Sequence, residues 1–215
     1  MKGSGILTKT TLVEQAYQRI RAMIIEGELG PGQPLVQDEL ARTLGISRTP
    51  VMHAIRELEN DGLASRNNTH RVYVRELTLD DMIAIWEIRE ALETLACKYV
   101  TPVISYNEIG DLQRGFEQAM HTLDQEHEYR RMDNTFHITI AELCPRRDLR
   151  DILVRSGFMG RGLLKGLLRP PEETLPEHLA ILEGLRARDA DKAMQAMGFH
   201  LRMSLEHLKK QKQGG

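Results

Sequence analysis

Leu44-Gly45-Ile46-Ser47-Arg48-Thr49-Pro50-Val51 reads as the turn of a helix-turn-helix and the opening of its second helix. Gly45 can take the left-handed backbone conformation that so tight a turn needs. Ile46 fits as the buried residue of the turn, and Ser47 suits the N-cap of the next helix. Pro50 falls in that helix's first turn, where a missing N–H costs nothing. Upstream, Ala41 is small where two helices must cross closely. Downstream, Val51, Ala54, Ile55 and Leu58 recur at helical spacing and form an inward face, leaving Arg48, Thr49, Met52, His53 and Arg56 outward.

Working outward from this stretch, Leu12, Ala16, Ile20 and Met23/Ile24 place a helix over residues 10–26. The breaker-rich residues 27–34 end it, a short helix follows over 36–44, and a third spans 48–60 before Gly62. Residues 63–66 and 72–75 read as short strands. Val72 and Val74 alternate with polar neighbours, and Asn67-Asn68-Thr69-His70 favours a turn between the two. Three helices and a hairpin in this order make a winged helix-turn-helix over residues 8–76. A recognition helix reads base edges with its N-terminal residues. Arg48 stands there and can bond guanine O6 and N7 in two-pronged fashion. The hydroxyls of Ser47 and Thr49 suit phosphate contacts, with His53 and Arg56 further along the same face. In the wing, His70, Arg71 and Arg66 can reach phosphate or minor groove.

Beyond Glu76 only helical periodicity remains. Thr78-Leu79-Asp80-Asp81 is a helix start, with Thr78 as N-cap and an acid three residues on. Helices are expected near 79–100, 105–122, 125–143, 147–168, 174–188 and 190–209, with Pro102, Pro145, Pro170-Pro171 and Pro176 interrupting the pattern. The tail after Leu208 is expected to be disordered. The fold class is therefore mainly α: a winged helix-turn-helix followed by an all-α antiparallel bundle of about six helices over residues 78–210.

With 41% hydrophobic but only 5% aromatic residues, both cores must be aliphatic. Net charge is −2, divided as +1 over residues 1–76 and −3 over 77–215, so any DNA affinity must come from local clustering of Arg rather than from bulk charge. No run of ~18 apolar residues exists, and the N-terminal residues lack the apolar stretch of a signal peptide. A cytoplasmic protein is expected, with Cys97 and Cys144 as free thiols.

The helical region carries a second constellation. Asp133 and His137 lie four apart and project from one helix face. His178 shares an apolar face with Ile181, Leu182 and Leu185, and His200 shares one with Ala193, Met197, Leu201 and Ser204. Three imidazoles and a carboxylate on inward faces of three helices suit a divalent transition metal with positions left open for water or a ligand. The alternative is a set of buried histidines satisfied by hydrogen bonds. His121, His127 and His207 show no such pattern and are expected at the surface.

Ile20-Arg21, Ile24-Ile25, Gly27, Leu29-Gly30-Pro31-Gly32, Leu35, Leu40-Ala41, Leu44 to Val51, Leu58 and Gly62-Leu63 together resemble the GntR family of bacterial regulators over about residues 11–75. Two features depart from that pattern. Met52-His53 stands where the family usually has Arg-Glu, and Arg71 stands where it usually has a wing-tip glycine, so the operator read should differ from those of relatives. Arg89-Glu90-Ala91-Leu92-Glu93, Asp133 with Phe136-His137, Glu177-His178 with Ile181-Leu182, and Asp189-Ala190 with Ala193 and His200 resemble the FadR-type C-terminal domain of the same family. That resemblance implies a metal (zinc, nickel or manganese) on Asp133, His137, His178 and His200, and a small organic acid effector held with its help. It also implies a homodimer on a palindromic operator. Arg89 is the candidate partner for the effector's carboxylate; its alternative is a surface ion pair with Glu93. A metal-free regulator sensing an apolar ligand lacks a use for this His set. A metal-dependent hydrolase lacks an evident inward general base and has no use for the helix-turn-helix, so no enzymatic activity is expected.

Overall fold

Thr11 opens the first helix by accepting a hydrogen bond from the Glu14 N–H at 3.1 Å. This helix, α1 (Leu12–Ile25), buries Ala16, Ile20, Met23 and Ile24 as one stripe. The structure is a computed structural model that describes residues 11–162 and 167–214. The expected start of the first domain at residue 8 lies outside the described residues. Helices α2 (Gln37–Leu44) and α3 (Arg48–Asn60) follow, joined at Gly45 with φ +67 in the left-handed region, as the turn demanded. Val51, Ala54, Ile55 and Leu58 all face the core, together with Pro50. Ile46 is only half-buried, so the turn is sealed by Ala41 and Pro50 more than by the residue expected to do it.

Strands β1 (Ala64–Arg66) and β2 (Val72–Val74) pair antiparallel, with Ala64 opposite Val74 and Arg66 opposite Val72. A segment read only as breakers adds to this wing. Leu35 N–H donates to Val72 O at 2.8 Å, Val74 N–H to Gln33 O at 2.9 Å and Gly32 N–H to Val74 O at 3.0 Å. Residues 32–35 thus line the far edge of β2, where Pro34, which has no N–H, is tolerated at an edge.

Contacts divide the chain into two units, residues 1–76 and 77–215. The second is built among the described residues from six helices: α4 (Leu79–Val100), α5 (Tyr106–Ala119), α6 (Gln125–Glu142), α7 (Arg147–Gly162), α8 (Pro171–Arg186) and α9 (Ala190–Gly214). Thr78 and Asp81 form the capping box expected of α4. Ser105 and Glu108 form a second at α5, and the hydrogen bonds from Ser105 hold the Glu108 carboxyl below its ordinary range. The core is mostly aliphatic and also buries Trp86, Phe116, Tyr129 and Phe136. Both cysteines are free and buried, and burial pushes the Cys97 thiol well up.

Several boundaries differ from the sequence reading, among them the end of α5 at Ala119 rather than 122. The helix expected over 147–168 is described only to Gly162, and Leu167 to Pro170 are non-helical. Helix α8 begins at Pro171 rather than 174 and runs through Pro176, whose missing hydrogen bond would have gone to the carbonyl of solvent-exposed Glu172. The tail after Leu208 is not disordered: α9 continues to Gly214, held to α4 by Lys209–Glu87 at 3.3 Å and Lys212–Asp80 at 2.5 Å.

Helices α8 and α9 meet backbone to backbone. A Cβ on Gly184 would stand 2.6 Å from the Ala193 nitrogen and 2.8 Å from its Cα. Main chain cannot yield as a side chain can, so Gly184→Ala should cost about 1–3 kcal/mol and lower Tm by several degrees in a thermal melt. Gly115→Ala should cost less, because the group it would meet is the flexible side chain of Met132.

Candidate metal centre and nucleic-acid interface

Helical periodicity brings four chemically distinctive side chains to one point of the second unit. Asp133 and His137 descend one turn apart from α6, His178 comes from α8 and His200 from α9. One donor atom from each lies within 4.8 Å of the others. All three histidines are buried, and Asp133 is partly so. Asp133 Oδ1 sits 3.0 Å from His178 Nε2 and 3.8 Å from His137 Nε2. Phe116 stacks on the His178 ring at 4.4 Å and Phe136 meets it edge-on at 5.1 Å, which fixes its plane.

Each histidine is also held from behind at Nδ1. Glu93 of α4 bonds His137 Nδ1. The Tyr129 hydroxyl lies 3.1 Å from His178 Nδ1 and itself accepts from Thr174 Oγ1 at 2.9 Å. Glu177 bonds His200 Nδ1 at 2.8 Å. With Nδ1 occupied in all three rings, Nε2 is the atom left to turn toward the common centre. His137 Nε2 is buried and has no hydrogen-bond partner among the described residues. Burial holds the His137 imidazole below its ordinary range against the pull of Glu93, which favours the neutral form that a metal needs. A buried orphan nitrogen, three oriented imidazoles and a carboxylate fit a divalent transition metal.

The carboxylates behind the ring are themselves neutralised. Arg89 Nε donates to Glu93 at 2.6 Å, and Arg169 donates two hydrogen bonds to Glu177 at 2.9 and 2.7 Å. The ion pair of Arg89 with Glu93 therefore exists, but it is not a surface pair: Arg89 is 1% exposed and its guanidinium lies 4.6 Å over the Trp86 ring. Arg89 Nη1 and Nη2 are buried without a hydrogen-bond partner among the described residues. Glu93, Glu177, Tyr129, Thr174 and Arg169 escaped the sequence reading as supports of this site. Glu177 immediately before His178 and Glu93 four residues after Arg89 were the available signals. These two acids are inward, and each is engaged by both a histidine and an arginine. His121 and His127 are at the surface and His207 is half-buried.

Beside the cluster opens a pocket of about 470 Å³, counting space continuous with solvent, lined in part by Trp86, Tyr129, Asp133, Thr174, His200 and Ser204.

In the first unit, α3 presents its N-terminus to solvent. Ser47 occupies the N-cap position, but its hydroxyl makes no capping bond, so the hydroxyl is available outward. Arg48, Thr49, His53 and Arg56 are all exposed on the same helix. Arg48 Nε pairs with Asp38 of α2 at 3.0 Å, a contact the sequence reading missed because it crosses the turn. In the wing, Asn67 Oδ1 accepts from Thr69 and Arg71 N–H groups, both at 3.0 Å, and His70 rather than Arg71 takes the left-handed conformation with φ +61. The glycine-like position thus falls one residue earlier than Arg71. His70 and Arg71 are exposed, whereas Arg66 is drawn back, bonding Glu59 at 3.0 and 2.6 Å and His70 O at 3.1 Å.

Residues 12–74 match the family described as bacterial regulatory proteins, gntR family, and residues 84–203 match the FCD domain. The chain is 29% identical to YdhC of Bacillus subtilis, an uncharacterized HTH-type transcriptional regulator, over 91% of this chain and 90% of that protein. It is 24% identical to the HTH-type transcriptional repressor RspR of Escherichia coli, over 93% and 90%. In fold it is similar to E. coli McbR/YncC, with a TM-score of 0.79 at 20% identity, covering 95% of this chain and 100% of that one. Helix-turn-helix, wing and FCD domain over this span make the chain a member of the gntR family of bacterial regulatory proteins, a transcriptional regulator and not an enzyme.

Proposed function

We propose that this regulator binds a palindromic operator as a two-fold dimer and senses a small organic acid through a metal in its C-terminal domain, in the manner of the FadR subfamily. The recognition surface is Ser47, Arg48, Thr49, His53 and Arg56, with His70 and Arg71 at the wing. Asp133, His137, His178 and His200 hold zinc, nickel or manganese. The observation that carries the metal reading is the fixing of all three imidazoles at Nδ1, which leaves their Nε2 atoms for one centre. A bound divalent ion supplies open coordination positions for the carboxylate of the effector. Arg89, its charge offset by Glu93 but with two buried nitrogens lacking a hydrogen-bond partner among the described residues, is the candidate donor to that carboxylate. Effector and operator are coupled to the extent that the acid binds one arrangement of the dimer better than the other. The repressor RspR favours the reading in which the acid releases DNA. No described helix is long and apolar enough to cross a membrane, and a cytoplasmic location accords with this role.

The test is metal removal. An operator selected from random DNA by the protein should be released by the effector acid from metal-loaded protein. After chelation the response should fall at least about tenfold, as expected when a coordination partner is lost, and return when zinc, nickel or manganese is added. An unchanged response in stripped protein would sink the metal-linked mechanism.

A further inference from the structure

The pocket beside the ligand cluster has polar lining beyond the cluster itself. Its lining includes Arg130 and Asn134 of α6 as well as Asp133. Residues 130, 133, 134 and 137 are spaced i, i+3, i+4 and i+7, so the face that carries two ligands of the cluster also carries the Asn134 amide between them and the Arg130 guanidinium one turn toward the helix N-terminus. Trp86, Leu167 and Leu168 supply apolar wall.

Arg130, only half-buried, differs from the two buried arginines here. Arg89 is matched by Glu93, and Arg169 by Glu177 and Glu173. Arg130 is half-buried and has no hydrogen bond or ion pair among the described residues. The undescribed residues, 1–10, 163–166 and 215, contain no Asp or Glu that could offset it. With a divalent ion in place, Asp133 cancels one of the ion's charges, Glu93 offsets Arg89 and Glu177 offsets Arg169, while the further carboxylate on Arg169, Glu173, is 56% exposed and screened by water. The ion and Arg130 then leave two positive charges in one pocket, and a charge removed from water is costly unless it is matched.

From this balance we propose that the pocket takes a short dicarboxylate, one carboxylate facing the metal and the other read by Arg130 with Asn134. This rests on the metal reading above. Planar guanidinium and carboxylate match in a two-pronged geometry that a mono-acid of equal length cannot use at that end.

The test compares zinc-loaded wild type with Arg130→Gln by calorimetry and by the fluorescence of Trp86, the sole tryptophan. Probes are succinate, glutarate and adipate, each against the mono-acid of equal chain length, butyrate, valerate and hexanoate. In wild type at least one di-acid should bind about tenfold or more tighter than its partner, as a charge-assisted contact implies. In Arg130→Gln that ratio should fall to within about threefold while zinc content, Tm and mono-acid affinity stay unchanged. No di-acid preference in wild type, or one that survives in the variant, would overturn the proposal. Zinc content is measured first on both proteins. A zinc-loaded protein without the preference leaves the metal reading standing. A preference that depends on Arg130 in protein unable to hold zinc overturns the metal reading alone.

Discussion

Protein carrying His137→Ala and His178→Ala should purify with less than about a tenth of the metal of wild type, which should hold about one ion per chain. Elemental analysis by mass spectrometry reads both. The effect is large because the two residues are not interchangeable surface ligands: each is buried, locked at Nδ1 and aimed at Asp133. Two remaining donors, Asp133 and His200, cannot complete a tetrahedral set. Loss of packing alone would also destabilise the variant, since His178 sits stacked on Phe116, so the discriminating readout is the response to added metal. Saturating wild type at about a thousandfold excess over its dissociation constant should add about 4 kcal/mol, a Tm rise of roughly 10 °C for a chain of this length. The variant should show almost no rise. Equal rises in both, or no metal in wild type after zinc, nickel and manganese are offered, would make the histidines structural and turn the search toward apolar effectors.

Sequence periodicity reveals a residue's face, and that sufficed for the four ligands. His178 among Ile181, Leu182 and Leu185, and His200 among Met197 and Leu201, had to point inward, and inward faces of neighbouring helices converge. Periodicity says nothing of what stands behind a residue. The supports of the site come from distant parts of the chain: Glu93 from α4 behind His137, and Tyr129 from α6 behind His178. Only packing reveals them. The same limit explains Arg89: an i,i+4 spacing with Glu93 was legible, but whether that face met solvent or core was set by α6 and α9. The C-terminal tail misled for a related reason. Its polar composition reads as solvated, yet Lys209 and Lys212 find acids on α4 that extend the helix.

The hairpin was read correctly from alternation, but residues 32–35 were hidden by their own composition. Gly32 and Pro34 are turn formers locally. Beside β2 they act as an edge that needs few donors, and only the partner strand makes that visible. At the wing tip, a glycine requirement was expected at Arg71. Asn67 gathers the N–H groups of Thr69 and Arg71 onto one side-chain oxygen and moves the left-handed residue to His70. Arg71 is thereby spared backbone strain and left exposed.

Arg48→Ala should remove specific operator recognition while leaving the melting curve nearly unchanged. Its pair with Asp38 joins side chains 67% and 61% exposed, and such a pair contributes at most about 1 kcal/mol to stability. Against DNA the same side chain has far more to lose. A two-pronged contact to guanine carries about 1–3 kcal/mol of discrimination, and a two-fold dimer loses it in both half-sites, roughly 30-fold to more than 10³-fold in affinity. Asp38 adds to this, because without Arg48 its carboxylate faces the phosphate backbone unmatched. Titrating selected and scrambled DNA at several salt concentrations separates the possible roles. If Arg48 reads bases, the variant should bind both sequences about equally and keep most of its salt slope. If Arg48 only meets phosphate, binding should weaken on both sequences alike and the slope should shrink by about one ion. Asp38→Asn, which keeps Arg48 and frees it from its partner, should retain the preference for the selected sequence. Its loss there would assign recognition to the pair rather than to Arg48 alone.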